Sequence, residues 1–180
     1  MLKRIDATLT VSKGSFKRTK NFKPDHIFSS KHLDLNFFDE ITLLCIDKII
    51  EEKEYFNFLE EKANNCFLPI TASGRITNLD DAKRLFNCGA DRVIVNTLLW
   101  DNNVDVIEEI SNIYGSQALV ASIDLVKSEN GFKSYDWISE KPRDYLLPKI
   151  LKERTNLFGE IKIQSVERDG GVLGPNILAI

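Results

Sequence analysis

Short apolar runs alternate with amphipathic segments along most of the chain. Six runs have the length and composition of β-strands, and they are Ile5 to Val11, Ile41 to Ile46, Phe67 to Thr71, Arg92 to Val95, Ala118 to Ile123 and Glu160 to Val166. The strongest helical patterns between them span 50–63, 78–89 and 104–113. Strands that alternate with helices predict a parallel sheet wrapped by helices.

The clearest unit is the third strand with the helix and the strand that follow it. Asn78 is a suitable N-cap for a helix that Gly89 would end. A strand–helix–strand crossover joins parallel strands, so Ser73-Gly74 and Asn96-Thr97 are expected at the same end of neighbouring strands. Backbone N–H groups freed by the glycine, with the Thr97 hydroxyl, favour a phosphate site there. Asn96 and Thr97 are also suited to capping the next helix.

Three further segments have weaker patterns. The helical composition of Tyr145 to Phe158 is interrupted by Pro148, which predicts a kink or the true start of the helix. The segment from Asp25 to Phe38 is predicted to be a weak helix. After the fifth strand, Asn130-Gly131 predicts a β-hairpin turn, because this pair readily supplies positive φ angles.

The composition is that of an ordinary globular protein. The 180 residues carry a net charge of −3, with 28% charged and 43% hydrophobic residues, which argues against nucleic acid as a partner. No apolar run reaches the roughly 18–20 residues of a membrane helix, so no membrane partner is expected. The absence of a secretion signal and the three scattered cysteines favour a cytoplasmic location. With two histidines and no Cys/His cluster, neither a metal site nor a cofactor is expected.

Two architectures fit the alternating pattern: an open doubly wound sheet and a closed (β/α)8 barrel. No Gly-x-Gly-x-x-Gly follows the first strand, and candidate site residues follow several strands, which favours the TIM barrel. A barrel of this type takes about 250 residues. The fold class is therefore predicted as α/β of the (β/α)8 type, a single incomplete barrel domain over residues 1–180 with about six units. Its first and sixth strands would be unpaired edges.

Several segments, in order and at matching spacing, resemble one known family. They are Cys88 to Thr97, Tyr114 to Val120, Ser122 to Asp124, and Gly159 to Gly170. In these segments the chain resembles the cyclase subunit of imidazole glycerol phosphate synthase, HisF, and more closely its paralogues in surface-polysaccharide gene clusters. The Gly174-Pro175-Asn176 tail is similar to the sister isomerase of histidine synthesis, which keeps that alternative open.

The resemblance implies a cyclase site with two acid/base aspartates. Asp124 matches the aspartate that ends the fifth strand, although a strand-end Asp is also a common turn former. Thr10 takes the position of the aspartate that ends the first strand. A hydroxyl cannot serve as a general base near neutral pH, so the resemblance implies a lyase with reduced activity.

The same resemblance implies a set of residues that bind the phosphorylated, sugar-type substrate. They are Arg18, Asp47, Ser73, Gly74, Asn96, Thr97, Asp169, Gly170 and Gly171. Asp169-Gly170-Gly171 would also suit a plain turn, and Asp47 a structural role. The basic segment from Lys13 to Lys23 is predicted to be a mobile loop over this anionic substrate.

Charged residues at the starts of four strands match the family's ring for ammonia entry. They are Arg4, Glu40, Arg92 and Glu160, which alternate in sign. The resemblance implies that a glutamine amidotransferase partner supplies ammonia through this ring, although strand ends are often charged for solvation alone. A paralogue would use the ammonia in surface-polysaccharide sugar modification. The alternatives are a non-catalytic module that docks and activates a glutaminase, and a truncated, inactive remnant.

Overall fold

The computed structural model describes residues 3–27, 35–48, 52–101, 104–171, 174 and 176–177. The chain divides into two compact units, which are described separately below. The first comprises Met1–Arg18 with His26–Ile94, and the second comprises Thr19–Asp25 with Val95–Ile180. The prediction that 1–180 form a single domain stays a prediction.

Strands and helices follow one another in an order dominated by β-strand, helix, β-strand. The strands are β1 (Asp6–Ser12), β2 (Ser15–Lys20), β3 (Lys23–Ile27), β4 (Glu40–Cys45), β5 (Ile70–Ser73), β6 (Arg92–Val95), β7 (Leu119–Ser128), β8 (Gly131–Asp136), β9 (Lys141–Pro142) and β10 (Glu160–Ser165). The α-helices are α1 (Glu52–Asn65), α2 (Leu79–Asn87), α3 (Val104–Tyr114) and α4 (Lys149–Glu153). None of the helices in the described part of the chain is both long and apolar enough to cross a membrane.

The first unit is built on parallel pairing of β1 with β4, β4 with β5, and β5 with β6. One face of β1 and β4 is apolar and buried, with Leu9, Val11 and Leu43 in the core. Tyr55 and Leu59 of α1 are fully buried. Parallel strands need such cover on their faces, because crossover helices return each strand to the same direction.

The second unit is built on β7, which pairs with β10 in parallel and with β8 in antiparallel fashion. Residues from Leu119 to Leu125 of β7 are all buried, as expected for a central strand with both faces covered. Ile107 and Ile110 of α3 are fully buried, whereas Ile113 is exposed. The helix predicted over 104–113 is therefore present, and Ile113 near its end does not belong to the buried face.

All six predicted strands are present, and parallel strands alternate with helices. The fold class is therefore α/β of the (β/α)8 type with about six units, as predicted. The Asn130-Gly131 hairpin turn is confirmed by the β7–β8 pairing, in which Ser128 faces Gly131. The predicted helix start at Ile50 and Pro175 of the tail lie outside the described residues.

The weak helix predicted from Asp25 is wrong in its first residues, since 25–27 belong to β3; residues 28–34 lie outside the described part of the chain. β3 follows β2 through a tight turn in which Asn21 and Phe22 have φ angles of 52° and 63°. Positive φ at both central residues is the geometry of a type I′ hairpin. Asn-Phe is a weaker signal for that turn than Asn-Gly, so the hairpin was missed.

Three further expectations need correction. The first strand is not an unpaired edge, because β2 pairs antiparallel along it, with Thr10 opposite Lys17. The mobile loop predicted from Lys13 to Lys23 is also wrong, because residues 15–20 form β2 and Lys23 begins β3. The segment from Tyr145 to Phe158 holds only the five-residue α4 and a short 3-10 turn. Pro148 is the N-cap of α4, which confirms the second of its two predicted roles, that it marks the true start of the helix. A proline lacks the N–H that an interior helical position must donate, which explains why the helix cannot begin earlier.

A capping box at the start of α2 gives a test of how this unit is stabilised. The Asn78 side chain accepts a hydrogen bond from Asp81 N at 3.0 Å, and Asn78 N donates to the Asp81 carboxylate at 3.3 Å. We expect Asn78→Ala to lower the free energy of unfolding by about 1 kcal/mol, because one helical N–H loses its acceptor. Urea denaturation measures this. Asn112→Ala, the same change at an exposed position within α3, should be neutral or slightly stabilising.

Candidate functional site

Asp124 is the most deeply buried carboxylate among the predicted site residues. It is only 5% exposed and occupies the sixth position of β7, which continues past it to Ser128 instead of ending there. Gln164 of β10 lies opposite Asp124, and Lys162 lies opposite Ser122. Because side chains alternate between faces along a strand, Lys162 and Asp124 share one polar face of the β7–β10 pair.

Asn96 holds the Asp124 carboxylate in place. Its Nδ2 donates to Asp124 Oδ2 at 3.0 Å and to the Ser122 carbonyl at 3.0 Å. Asn96 follows β6 directly, and the chain turns there because Leu99 N donates back to the Asn96 carbonyl. Thr97, half-buried beside Asn96, begins this turn. The structure thus brings Asn96 and Asp124 together, two residues that the sequence placed at neighbouring strand ends.

The pKa of Asp124 is raised from 3.8 to about 7 when all surrounding groups are taken together, and burial is the largest cause. The hydrogen bond from Asn96 and the positive charges of Lys162 and Arg143 lower this pKa, whereas the Asp136 carboxylate raises it. Desolvation therefore outweighs every group that favours the charged form. A carboxyl group that is half-ionised near neutral pH can both give and take a proton, which is the property that general acid/base catalysis requires.

Asp169 fastens the turn between β2 and β3. Its carboxylate accepts hydrogen bonds from the Thr19 hydroxyl and from Phe22 N, both at 2.9 Å. A Cβ on Gly170 would lie 1.9 Å from the Thr19 carbonyl oxygen, so only glycine fits against this turn. Gly171 N donates to the Arg168 carbonyl at 3.1 Å. These predicted phosphate-binding residues thus make structural contacts, and their binding role stays a prediction.

Thr10 uses its hydroxyl within the first unit. The Oγ1–H donates a short hydrogen bond to the Lys17 carbonyl on the paired strand β2. The predicted phosphate residue Arg18 is exposed on the same strand. A neutral hydroxyl cannot serve as a general base near neutral pH, and its contact with Lys17 gives the Thr10 side chain a structural role in the hairpin.

The remaining predicted residues of the first unit also have structural partners. Asp47 accepts hydrogen bonds from the Ser12 hydroxyl at 2.6 Å and from Lys13 N at 2.8 Å, which closes the β1–β2 turn. The Ser73 hydroxyl accepts from Cys45 N at 2.8 Å. A Cβ on Gly74 would lie 2.9 Å from a Leu85 methyl, so this glycine lets α2 pack closely on β5.

Three of the four predicted ring charges lie in the first unit and contact one another. Arg92 and Arg4 both bind Glu40 Oε2, Arg4 at 3.3 Å. The side chains of Glu40 and Arg92 are 10% and 12% exposed, whereas that of Arg4 is 49% exposed. Two guanidinium groups therefore compensate one buried carboxylate, and only Arg4 reaches well into solvent. Glu160, the fourth, begins β10 in the second unit.

The sequence reasoning missed three charged side chains that act on the pKa of Asp124, and the tryptophan ring that packs against one of them. They are Trp100, Asp136, Arg143 and Lys162. The alternation of polar and apolar residues from Glu160 to Ser165 was a usable signal for Lys162, since it places a polar stripe on one face of β10. Arg143 lies in an irregular segment, where no periodicity indicates which way a side chain points. Across the described residues, no three His, Cys, Asp or Glu side chains are grouped to hold a metal ion.

Comparison with known proteins matches residues 5–180 to a family model described as histidine biosynthesis protein. A protein of Parasynechococcus marenigrum (strain WH8102), provisionally designated imidazole glycerol phosphate synthase subunit hisF2, is 36% identical over 178 residues, which cover 93% of this chain and 66% of that protein. Imidazole glycerol phosphate synthase subunit HisF of Natranaerobius thermophilus is 31% identical over 181 residues, covering 97% of this chain and 72% of the relative.

A third relative, a provisional hisF2 subunit of Vibrio vulnificus (strain YJ016), is 33% identical over 141 residues, which cover 77% of this chain and 52% of the relative. The chain thus spans about half to about seven tenths of the length of these relatives. The matched range, residues 5–180, includes residues of both units, among them Asn96 and Asp124. It also includes three of the four predicted ring charges, which are Glu40, Arg92 and Glu160.

The Asn96–Asp124 hydrogen bond makes a direct prediction about titration. We expect Asn96→Ala to raise the pKa of Asp124 above about 7. The Asn96 hydrogen bond stabilises the ionised carboxylate, so its removal favours the protonated form. The pH dependence of the Asp124 carboxyl ¹³C signal measures this. Asn112→Ala removes an exposed amide from α3 and should leave the titration unchanged. An Asp124 pKa that falls or stays constant in the Asn96 variant would show that this bond does not control ionisation.

Proposed function

Because this chain belongs to the histidine biosynthesis protein family, we propose that it is a cyclase subunit of the imidazole glycerol phosphate synthase type, or a paralogue of it. Such a subunit joins ammonia to a phosphorylated ribosyl-formimino substrate, which is cleaved so that ring closure gives imidazole glycerol phosphate and the remaining part of the substrate leaves as a second product. The observation that carries the proposal is the buried Asp124 carboxyl, whose pKa of about 7 suits acid/base chemistry at neutral pH.

Asp124 is the proposed catalytic residue, and Asn96 is its positioning residue. The amide of Asn96 fixes one carboxylate oxygen and leaves Asp124 Oδ1 to exchange a proton with the substrate. Lys162 and Arg143 stabilise the ionised form that remains after Asp124 gives up its proton. Ring closure needs a proton removed at one atom and delivered at another, so a single carboxyl must perform both steps in turn.

The engaged hydroxyl of Thr10 supports the second part of the proposal, which is a reduced rate. A site with one carboxyl where two cooperate typically loses about 10²–10⁴ in rate. We therefore favour a paralogue that uses ammonia in sugar modification for surface-polysaccharide synthesis, on a phosphorylated sugar-type substrate, in the cytoplasm. The hisF2 designation of two relatives is consistent with such a paralogue.

A glutamine amidotransferase is the proposed partner, and the Arg4–Glu40–Arg92 cluster is its proposed contact. The Arg4 side chain is 49% exposed, and it binds the Glu40 carboxylate that Arg92 also binds. This cluster also favours the second candidate function, a non-catalytic module that docks and activates a glutaminase. In that case the Arg4–Glu40–Arg92 cluster would still contact the glutaminase, although Thr10 stands where the second acid/base carboxylate is expected.

Replacing the proposed catalytic carboxyl tests the enzyme. We expect Asp124→Asn to lower ammonium-dependent formation of imidazole glycerol phosphate at least about a hundredfold, because the proton-transferring group is lost. Single-turnover assays with excess ammonium measure this. Asp105→Asn, the same change at an exposed position in the first turn of α3, should keep full activity. If the unmodified chain has no activity on this substrate, the orthodox cyclase function is excluded and the paralogue or module remains.

Arg4 provides a separate test of the partner. We expect Arg4→Ala to reduce the stimulation of glutamine turnover in a co-purified glutaminase by roughly tenfold, because a charge that contacts the partner is lost. Lys3→Ala removes an exposed neighbouring charge and serves as the matched control. Glutamate release with and without the chain is the readout. Equal stimulation by both variants would place the glutaminase contact elsewhere.

A further inference from the structure

Arg143 is brought close to Asp124 by the three-stranded arrangement of β7, β8 and β9. Arg143 N, directly after β9, donates to the Ser134 carbonyl at 2.7 Å. Ser134 in turn lies opposite Leu125, the neighbour of Asp124 in β7. The Arg143 backbone is therefore about two strand spacings, roughly 10 Å, from the β7 backbone, a distance that a long side chain can bridge.

Two contacts hold the Arg143 guanidinium in a fixed position. Its Cζ lies 4.7 Å from the centroid of the Trp100 ring, a cation–π arrangement. Its Nη2 lies 3.2 Å from Asp136 Oδ2, and both side chains are 22% exposed. Trp100 ends the turn that begins at Asn96, since Trp100 N donates to the Thr97 carbonyl. The guanidinium is thus positioned by the same turn that supplies the Asn96 amide to Asp124.

Hydrogen-bonding capacity remains unused at this site. Among the described residues, Arg143 Nε is a buried donor without a hydrogen-bond partner, and Asn96 Oδ1 is a buried acceptor without one. Buried polar atoms without partners cost free energy, and in native structures they mark places where a ligand or a water completes the bonding. Both residues act on Asp124, because Asn96 donates a hydrogen bond to its carboxylate and the charge of Arg143 lowers its pKa.

A structural role for Arg143 does not account for this arrangement. If Arg143 only linked the loops, its planar fork would be expected to form a two-bond pair with Asp136, as guanidinium and carboxylate groups commonly do. Instead one nitrogen binds Asp136, the ring of Trp100 covers one face, and the side chain keeps partial exposure. A fork that is fixed in position and keeps unused donors is suited to an oxyanion ligand.

We infer that Arg143 is a specificity-determining residue that binds a phosphate monoester of the substrate beside Asp124. The inference rests on the proposed function, because the phosphorylated substrate class comes from there. Arg143 supplies charge and N–H donors to the phosphate, and Trp100 and Asp136 fix the orientation of its guanidinium group.

Titration calorimetry with glycerol 3-phosphate tests the inference without ammonia or turnover. We expect the unmodified chain to bind this probe, and Arg143→Gln to weaken binding at least about tenfold through loss of a charge-assisted contact. Arg143→Lys keeps the charge but not the fork, so we expect an intermediate loss. Arg154→Gln is the matched control, because Arg154 pairs with Glu108 at the surface and is half-exposed. Its affinity should stay within about twofold of the unmodified chain.

A second readout separates ligand contact from a merely structural role. The groups whose charges act on Asp124 are Arg143, Lys162 and Asp136. A phosphate bound at Arg143 adds negative charge there, so glycerol 3-phosphate should raise the pH at which the Asp124 carboxyl ¹³C signal titrates. In Arg143→Gln the probe should no longer change that titration, although the starting pKa is itself higher.

Several outcomes would overturn the inference. The first is that the unmodified chain does not bind glycerol 3-phosphate at millimolar concentration. The second is that Arg143→Gln and Arg154→Gln weaken this binding equally. The third is that the unmodified chain binds the carboxylate probe glucuronate more tightly than glycerol 3-phosphate. If Arg143→Gln does not fold, as judged by circular dichroism, Arg143→Lys decides, and unchanged affinity in that variant refutes the role of the fork. A chain that binds the probe through Arg143 but makes no imidazole glycerol phosphate refutes the cyclase function alone.

Discussion

The hydrogen bond from Asn96 to the Asp124 carboxylate is the interaction on which the proposed chemistry of the second unit depends. Burial inside β7 would by itself keep Asp124 protonated, and a permanently neutral acid cannot take up a proton. The Asn96 amide, with the charges of Lys162 and Arg143, brings the pKa back to about 7. The same amide fixes the carboxylate orientation through its second bond to the Ser122 carbonyl. One side chain thus lowers the pKa of the candidate catalytic group and fixes its orientation.

This arrangement costs stability in a pH-dependent way. The pKa of Asp124 rises from 3.8 in the unfolded chain to about 7 in the folded chain, so the folded state binds the proton more tightly. Asp124 therefore does not lower the free energy of unfolding below about pH 4. The free energy of unfolding falls as the pH rises from about 4 to about 7, and the full loss is present above pH 7. A difference of this size corresponds to roughly 4 kcal/mol at most. A purely structural position would not need to retain such a group, which is consistent with a functional role for Asp124.

Strand order and strand position were predictable from the sequence because they depend on local apolar runs and on the period of helices. Asp124 and the Asn96-Thr97 pair were also predictable, since both follow such runs. The strands β2 and β3 were not predicted, since a mobile loop was expected from Lys13 to Lys23. Their turns place Lys13 and the Asn21-Phe22 pair at positive φ, and such residues leave no clear turn signal. Arg143 and Trp100 were missed for a different reason: their meeting is a tertiary contact between two irregular segments. Sequence periodicity carries no information about such contacts.

The residue at position 10 shows how a hairpin and a catalytic site compete for one side chain. The Thr10 hydroxyl donates a hydrogen bond to the Lys17 carbonyl, and this bond adds to the pairing of β2 with β1. An aspartate at position 10 would place a charged acceptor against that carbonyl acceptor, so the bond would be lost and the two oxygens would repel each other. An ionised aspartate could remain there only if the β1–β2 hairpin shifted or if its side chain turned toward another donor. A carboxylate at position 10 therefore requires a different hairpin geometry as well as a different residue. In this chain the hydroxyl stabilises the hairpin, and the proposed acid/base site keeps the single carboxyl of Asp124.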